Sequence, residues 1–200
     1  MKDSNHIYPL FPLEFFSYPG KRFQLHIFEE QDIQLVKDTM KEDRCFLIPY
    51  VIRGEKQALG SFVRILEIES TDIKDEFDIT LTVEEIFKTE RVFDKQSGKL
   101  YRMAQVEFLE FEDKFPCIKL LALYNEFVGL QGKHQGIVFS QYSINLFALV
   151  ENLDLTHHQK FTFIKEGNTM AFETNIINYL ILQNAIEKSL KKVGLKFVLN

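Results

Sequence analysis

Residues 8 to 36, YPLFPLEFFSYPGKRFQLHIFEEQDIQLV, constrain the fold of this chain most, because three prolines, a glycine and two apolar runs fall within thirty residues. Tyr8 to Leu13 is apolar but carries Pro9 and Pro12, whose fixed φ and missing N–H fit an edge or terminal strand. Tyr18-Pro19-Gly20 reads as a turn, proline setting the first central dihedral and glycine the positive φ of a type II turn. Phe23, Leu25 and Ile27 then alternate with Arg22, Gln24 and His26, as in a half-buried strand. From Glu29 the period changes: Ile33, Val36 and Met40 share a helical face, with acids at the amino end where the macrodipole favours them. The expected order is strand, turn, strand, helix.

The Pro9-Leu10-Phe11-Pro12-Leu13 run, Pro19-Gly20, and Leu25-His26-Ile27-Phe28-Glu29 followed by Leu35-Val36 resemble the opening of the LON substrate-binding domain. That is the amino-terminal domain of ATP-dependent Lon proteases. The resemblance implies structural roles for Pro9, Phe11, Pro12, Pro19, Gly20, Leu25, His26, Phe28 and Glu29. Where the family continues Pro-Arg-Tyr, this chain has Glu30-Gln31-Asp32, so a contact made there by the arginine or tyrosine is absent. The implied fold class is α+β, a PUA-like β-barrel over residues 1–111 followed by an α-helical bundle subdomain over 112–200.

Periodicity alone supports a β-rich first half. Cys45 to Ile52 is a short apolar run, expected to bend at Pro49, with Gly54 and Glu55-Lys56-Gln57 turning it. Ala58 to Glu69 alternates less cleanly, as a bulged strand would. Leu59-Gly60-Ser61-Phe62-Val63-Arg64-Ile65 resembles the glycine-started strand of the family. Phe77, Ile79, Leu81 and Val83 give the cleanest alternation, continuing through Phe93 to a polar loop at 94–98. Leu100 to Phe111 is the expected return strand.

The second half reads as helical. Asp113 is placed to cap a helix beginning at Phe115-Pro116 and ended by Gly129, Gly132 and Gly136. Ser140 is expected to cap a second helix through Val150, and Thr156 a third holding Phe161 and Ile164. A long last helix is expected over 169–193.

Composition narrows the function classes. The chain is 46% hydrophobic and 26% charged, with a net charge of −5, which suits a globular domain without general attraction to polyanions. Residues 1–111 hold 15 Lys+Arg against 21 Asp+Glu, a net of −6, and residues 112–200 hold 9 against 8. Neither part is a basic module, which weighs against an RNA-binding PUA-like module, the alternative reading. No apolar stretch approaches the ~20 residues that span a bilayer, and prolines break the first apolar run, so neither membrane association nor a leader is expected. Cys45 and Cys117, both in apolar surroundings, read as two buried thiols in a reducing cytoplasm.

No enzymatic chemistry is signalled. The chain contains no Gly-x-x-x-x-Gly-Lys-[Ser/Thr] loop; the nearest cluster, Gly129 to His134, has the wrong spacing. It ends within the helical part, so the resemblance implies the binding part of Lon without its ATPase and protease. No cofactor is expected. His26 and Glu29 would fall on opposite faces of a strand, which disfavours a metal site. His157-His158 read as a solvated or capping pair, and Lys188, Lys191, Lys192 and Lys196 as complements to a helix carboxyl end.

Phe15, Phe16 and Tyr18 leave two readings open. They form a partly exposed aromatic cluster beside a β edge, suited to unfolded polypeptide, or they pack under the helical half as most aromatics do. The expected function is non-catalytic: binding unfolded or hydrophobic polypeptide segments, or docking on a protein quality-control partner.

Overall fold

The computed structural model describes residues 6–71, 76–95, 97–112, 114–132, 138–140 and 142–198. Asp113 and Gly136, expected to bound a helix, lie outside the described residues, as do His134 and the side chain of Lys196. The described elements are β1 (Ile7–Leu10), β2 (Arg22–Ile27), α1 (Glu30–Thr39), β3 (Cys45–Ile52), β4 (Glu55–Ser70), β5 (Phe77–Phe93), β6 (Arg102–Phe108), α2 (Ile118–Gln131), α3 (Leu146–Glu151), α4 (His157–Ile164) and α5 (Thr169–Val198).

The strands form one sheet in the order β2-β5-β4-β3-β1-β6, and β6 pairs back on β5. That second pairing closes five strands into a barrel and leaves β2 outside it. β5 is long enough, at 17 residues, to serve both neighbours. Phe77 to Thr82 pair with β2, while Phe87 to Phe93 pair with β6. The blurred alternation of β4 has its cause in two register shifts, at Phe62/Val63 and Ile65/Glu67, which move side chains from face to face. Ladder irregularity also falls between Pro49 and Val51 in β3, where the proline was expected to bend the strand.

β1 is not an edge strand, since it lies between β3 and β6. Its prolines are tolerated because neither nitrogen has to donate to a neighbour, although Pro9 itself pairs with Met103 of β6. The amides of Phe11 and Leu13 donate towards β3, so by alternation the nitrogen of Pro9 faces β3 too, ahead of the first parallel pair, Leu10 with Leu47. Pro12 lies beyond the last β1–β6 pair, Leu10 with Arg102.

β3 is buried on both faces, which accounts for its unbroken apolar run. Cys45 and Leu47 join a cluster with Tyr8, Leu10, Phe62, Phe87, Ala104 and Val106. Phe46 and Ile48 join another, with Leu35 and Val36 of α1 and Ile79 and Leu81 of β5. Gly60 lets β3, β4 and β5 approach one another: a Cβ there would sit 2.4 Å from the Ile48 carbonyl oxygen and 2.5 Å from the Phe87 ring. The β3–β4 turn is shorter than expected. Ile52 pairs with Glu55, leaving Arg53 (φ 52°) and Gly54 (φ 81°) as its two central residues, with the positive φ values of a type I′ turn. Glu55, Lys56 and Gln57 are therefore strand.

Two compact units divide the chain: residues 1–110 with 155–165, and residues 111–154 with 166–200. Helix α4 thus counts with the barrel. In the second unit α2 packs on α5. Glu173 of α5 accepts from the Cys117 amide at 2.8 Å and pairs with Lys114 at 3.0 Å, so a buried carboxylate serves the start of α2, where the macrodipole favours it. Cys117 itself is exposed, unlike Cys45, because it is the N-cap of α2. Asn145, not Ser140, caps α3 by accepting from the Ala148 amide; Ser140 instead closes a turn with Ser143. Thr156 caps α4 through a full capping box with Gln159. Lys188 pairs with Glu126 at 2.6 Å. Among the described residues no helix is long and apolar enough to cross a membrane.

Candidate functional site

Phe15, Phe16 and Tyr18 do not form an exposed cluster. Phe16 and Tyr18 are fully buried, and only Phe15 keeps partial exposure. The cause is α4, which follows some 140 residues later and covers this segment. The Tyr18 hydroxyl donates to the Lys160 carbonyl at 2.8 Å, and His157 Nδ1 donates to the Phe16 carbonyl at 2.8 Å. The ring of Phe161 meets Phe16 edge-on at 5.6 Å. Ser61 satisfies the backbone between them, accepting from the Ser17 amide and donating to the Ser17 carbonyl. Lys160 Nζ donates to the Ser17 hydroxyl at 3.3 Å. His157, expected to be solvated or to cap a helix, is half-buried and holds a backbone carbonyl instead; this role and those of Ser17, Ser61 and Lys160 are not legible in the sequence because their partners lie between 44 and 143 residues away.

The turn that follows holds the chain against β5. Gly20 has φ 90°, the Lys21 amide donates to the Tyr18 carbonyl, and the Gly20 amide donates to the Val83 carbonyl. The turn therefore starts β2 in register with β5, from Arg22 with Thr82 to Ile27 with Phe77.

Among the described residues β2 is the one strand with a single neighbour. Its outer edge carries exposed Arg22, Gln24 and His26 on one face and half-buried Phe23 and Leu25 on the other. Phe15 stacks on Phe23, ring centroids 4.1 Å apart, so one of the three aromatics named from the sequence does lie beside a β edge. At the far end Phe28 is 59% exposed and stacks on His26. An edge flanked by aromatic surface offers ladder hydrogen bonds and apolar contact to an extended chain.

His26 sets the charge at this edge. Its Nδ1 lies 2.8 Å from Asp78 and its Nε2 3.2 Å from Glu76. The hydrogen bond to Asp78 raises its pKa above the ordinary histidine value; desolvation opposes the rise, and the Asp78 charge and then Glu76 add to it. Both nitrogens donate when the ring is charged. No group of three or more His, Cys, Asp or Glu side chains able to hold a metal converges among the described residues. Glu29 lies beyond the end of β2, where its backbone caps α1 and its carboxylate accepts from Gln31.

No family model and no curated protein matches the sequence. Solved structures do. A Lon N-terminal domain protein from Xanthomonas campestris superposes with a TM-score of 0.65 at 20% identity, over 84% of this chain and 96% of that one. The N-terminal domain of a Mycobacterium avium complex Lon protease superposes with a TM-score of 0.63 at 12% identity, over 90% and 98%. The chain has the fold of a Lon N-terminal domain.

In this Lon N-terminal-like fold the motif residues occupy joints. Pro9 and Pro12 bracket the parallel pairing of β1, and Phe11 is buried in the α1 cluster. Pro19 and Gly20 turn the chain into β2, Leu25 packs against the same cluster, and Glu29 begins α1. His26 and Phe28 differ, because their side chains face solvent at the open edge.

Proposed function

We propose that the chain is a non-catalytic, Lon N-terminal-like binding protein of the cytoplasm that takes unfolded or hydrophobic polypeptide segments, alone or docked on a protein quality-control partner. The observation that carries this reading is the Lon N-terminal fold over at least 84% of the chain. Its 200 residues contain no phosphate-binding loop. The surface best suited to an extended segment is the outer edge of β2, with Phe15, Phe23 and Phe28 beside it. Phe16 and Tyr18 lie buried against α4 and Tyr50 and are not available to a ligand. The alternative, RNA binding, is disfavoured by the net charge of −6 over residues 1–111, because affinity for phosphate backbones rests on clustered Lys and Arg.

The test is a titration with a reduced, carboxymethylated unfolded protein, read by hydrogen exchange. Binding at the edge slows exchange of those β2 amides that do not pair with β5. A Phe15→Ala, Phe28→Ala double variant weakens it several-fold. Binding that leaves β2 exchange unchanged places the site elsewhere; no binding, or enrichment from lysate that RNase abolishes, overturns the reading.

A further inference from the structure

We infer that the barrel unit carries a second site, which takes a polypeptide's terminal carboxylate between Lys56, Lys95 and Arg102 and its last, apolar side chain against Pro49, Ala58 and Val92. The inference rests on the polypeptide-binding reading and adds a specificity to it.

Two hollows adjoin on the barrel, sharing Leu10 and Lys56. The first, of about 170 Å³, is lined by Lys56, Lys95 and Arg102, with Asp32 and Tyr101. The second, of about 280 Å³, is lined mainly by Leu10, Pro49, Ala58, Thr89 and Val92. Each is smaller than the roughly 300 Å³ at which drug-sized ligand sites begin, so each suits one group, a carboxylate in the first and a single apolar side chain in the second.

The three cations reach the first hollow from different places: Lys56 from β4 after the Arg53-Gly54 turn, Lys95 from the β5–β6 connection, and Arg102 from the start of β6. None makes an ion pair among the described residues, whereas Lys99, Arg64, Lys114 and Lys188 each hold a carboxylate. Three cations against the one carboxylate that lines the hollow, Asp32, leave it net positive within a unit of net negative charge, and so suited to an anion. Partial desolvation where its exposed side chain crosses the hollow, and then the neighbouring Arg102 charge, depress the Lys56 pKa, so an arriving anion relieves the repulsion between these two cations. The Tyr101 hydroxyl is occupied, accepting from Lys99 and donating to Asp38.

Asp32 limits what enters. Burial, with a contribution from Glu29, pushes its pKa up to about 6, and it pairs with none of the three cations. Its carboxylate beside the cations lowers the positive charge offered to an anion, and the apolar hollow alongside favours an anion that carries an apolar group over inorganic phosphate. A carboxylate and an apolar side chain on the same residue occur together at a chain terminus, not at an internal Asp or Glu.

The experiment measures anisotropy of labelled octapeptides ending in leucine as the acid, as the amide, and with glycine replacing the last leucine. The acid binds at least tenfold tighter than the amide and several-fold tighter than the glycine peptide. Lys56→Gln with Arg102→Gln removes the acid–amide difference, while Asp32→Asn tightens the acid. Lys56 and Arg102 are exposed, so circular dichroism of their variants matches the parent. Equal binding of acid and amide overturns this inference and leaves the polypeptide reading standing. Displacement by N-acetyl-leucine at the peptide's own dissociation constant reassigns the site to a small carboxylic acid and overturns the polypeptide assignment. Failure of both peptides together with the unfolded protein overturns both.

Discussion

The hydroxyl of Tyr18 donates to the carbonyl oxygen of Lys160 across 2.8 Å and 142 residues of sequence. This bond ties the strand-to-strand turn to α4 and explains why an aromatic beside a Pro-Gly turn is wholly buried. Tyr18→Phe leaves a buried carbonyl without that donor and costs about 1–2 kcal/mol. Tyr18→Ala adds a cavity and costs about 3–5 kcal/mol. Urea denaturation measures both, and binding to unfolded polypeptide is unchanged in Tyr18→Phe.

Gly60 predicts a steep backbone effect. A methyl there would overlap the Ile48 carbonyl, which is backbone and cannot rotate away. Gly60→Ala destabilises by at least about 1–3 kcal/mol, the usual cost of overpacking. Gly98→Ala, which meets no atom within 4 Å, is strained only by its positive φ. Thermal melts of the two variants separate close packing from conformational strain.

His26 titrates above the ordinary histidine range because Asp78 and Glu76 hold its charged form. A raised folded pKa gives a contribution to stability that is complete below the unfolded value of 6.5 and fades as pH rises through the folded value. Histidine ring NMR against pH shows the raised midpoint, and Asp78→Asn brings it back down. A midpoint at or below 6.5 contradicts this geometry.

Asp32 behaves in the same direction for a different reason. Its folded pKa of about 6 exceeds the carboxylate value of 3.8 through burial, so its contribution is complete below pH 3.8 and lost as pH rises through 6. The shift corresponds to about 3 kcal/mol, which partial exposure reduces to about 1–2 kcal/mol. Asp32→Asn is accordingly more stable than the parent at pH 7, and the gap closes near pH 4. Denaturation at the two pH values tests this.

Local chemistry made much of the barrel legible. Pro19-Gly20 fixed a turn because proline and glycine fix dihedrals, and the alternation from Phe77 to Val83 fixed a strand because one face is buried. Thr156 was recognisable as a cap because its partner, Gln159, lies three residues away. Asn145 was missed as the cap of α3, since serine and asparagine serve equally well and only the backbone path decides between Ser140 and Asn145.

What the sequence determined by itself was local: turns, strand faces, helix caps, and a motif whose residues sit at joints of a Lon N-terminal-like fold. Tertiary structure decided which aromatics a ligand can reach. Phe15, Phe16 and Tyr18 are alike in sequence, but α4 returns from residue 157 onward to bury two of them. It also decided that Lys56, Lys95 and Arg102 share one hollow, because β-ladder register brings distant charges together and no short-range pattern records that register.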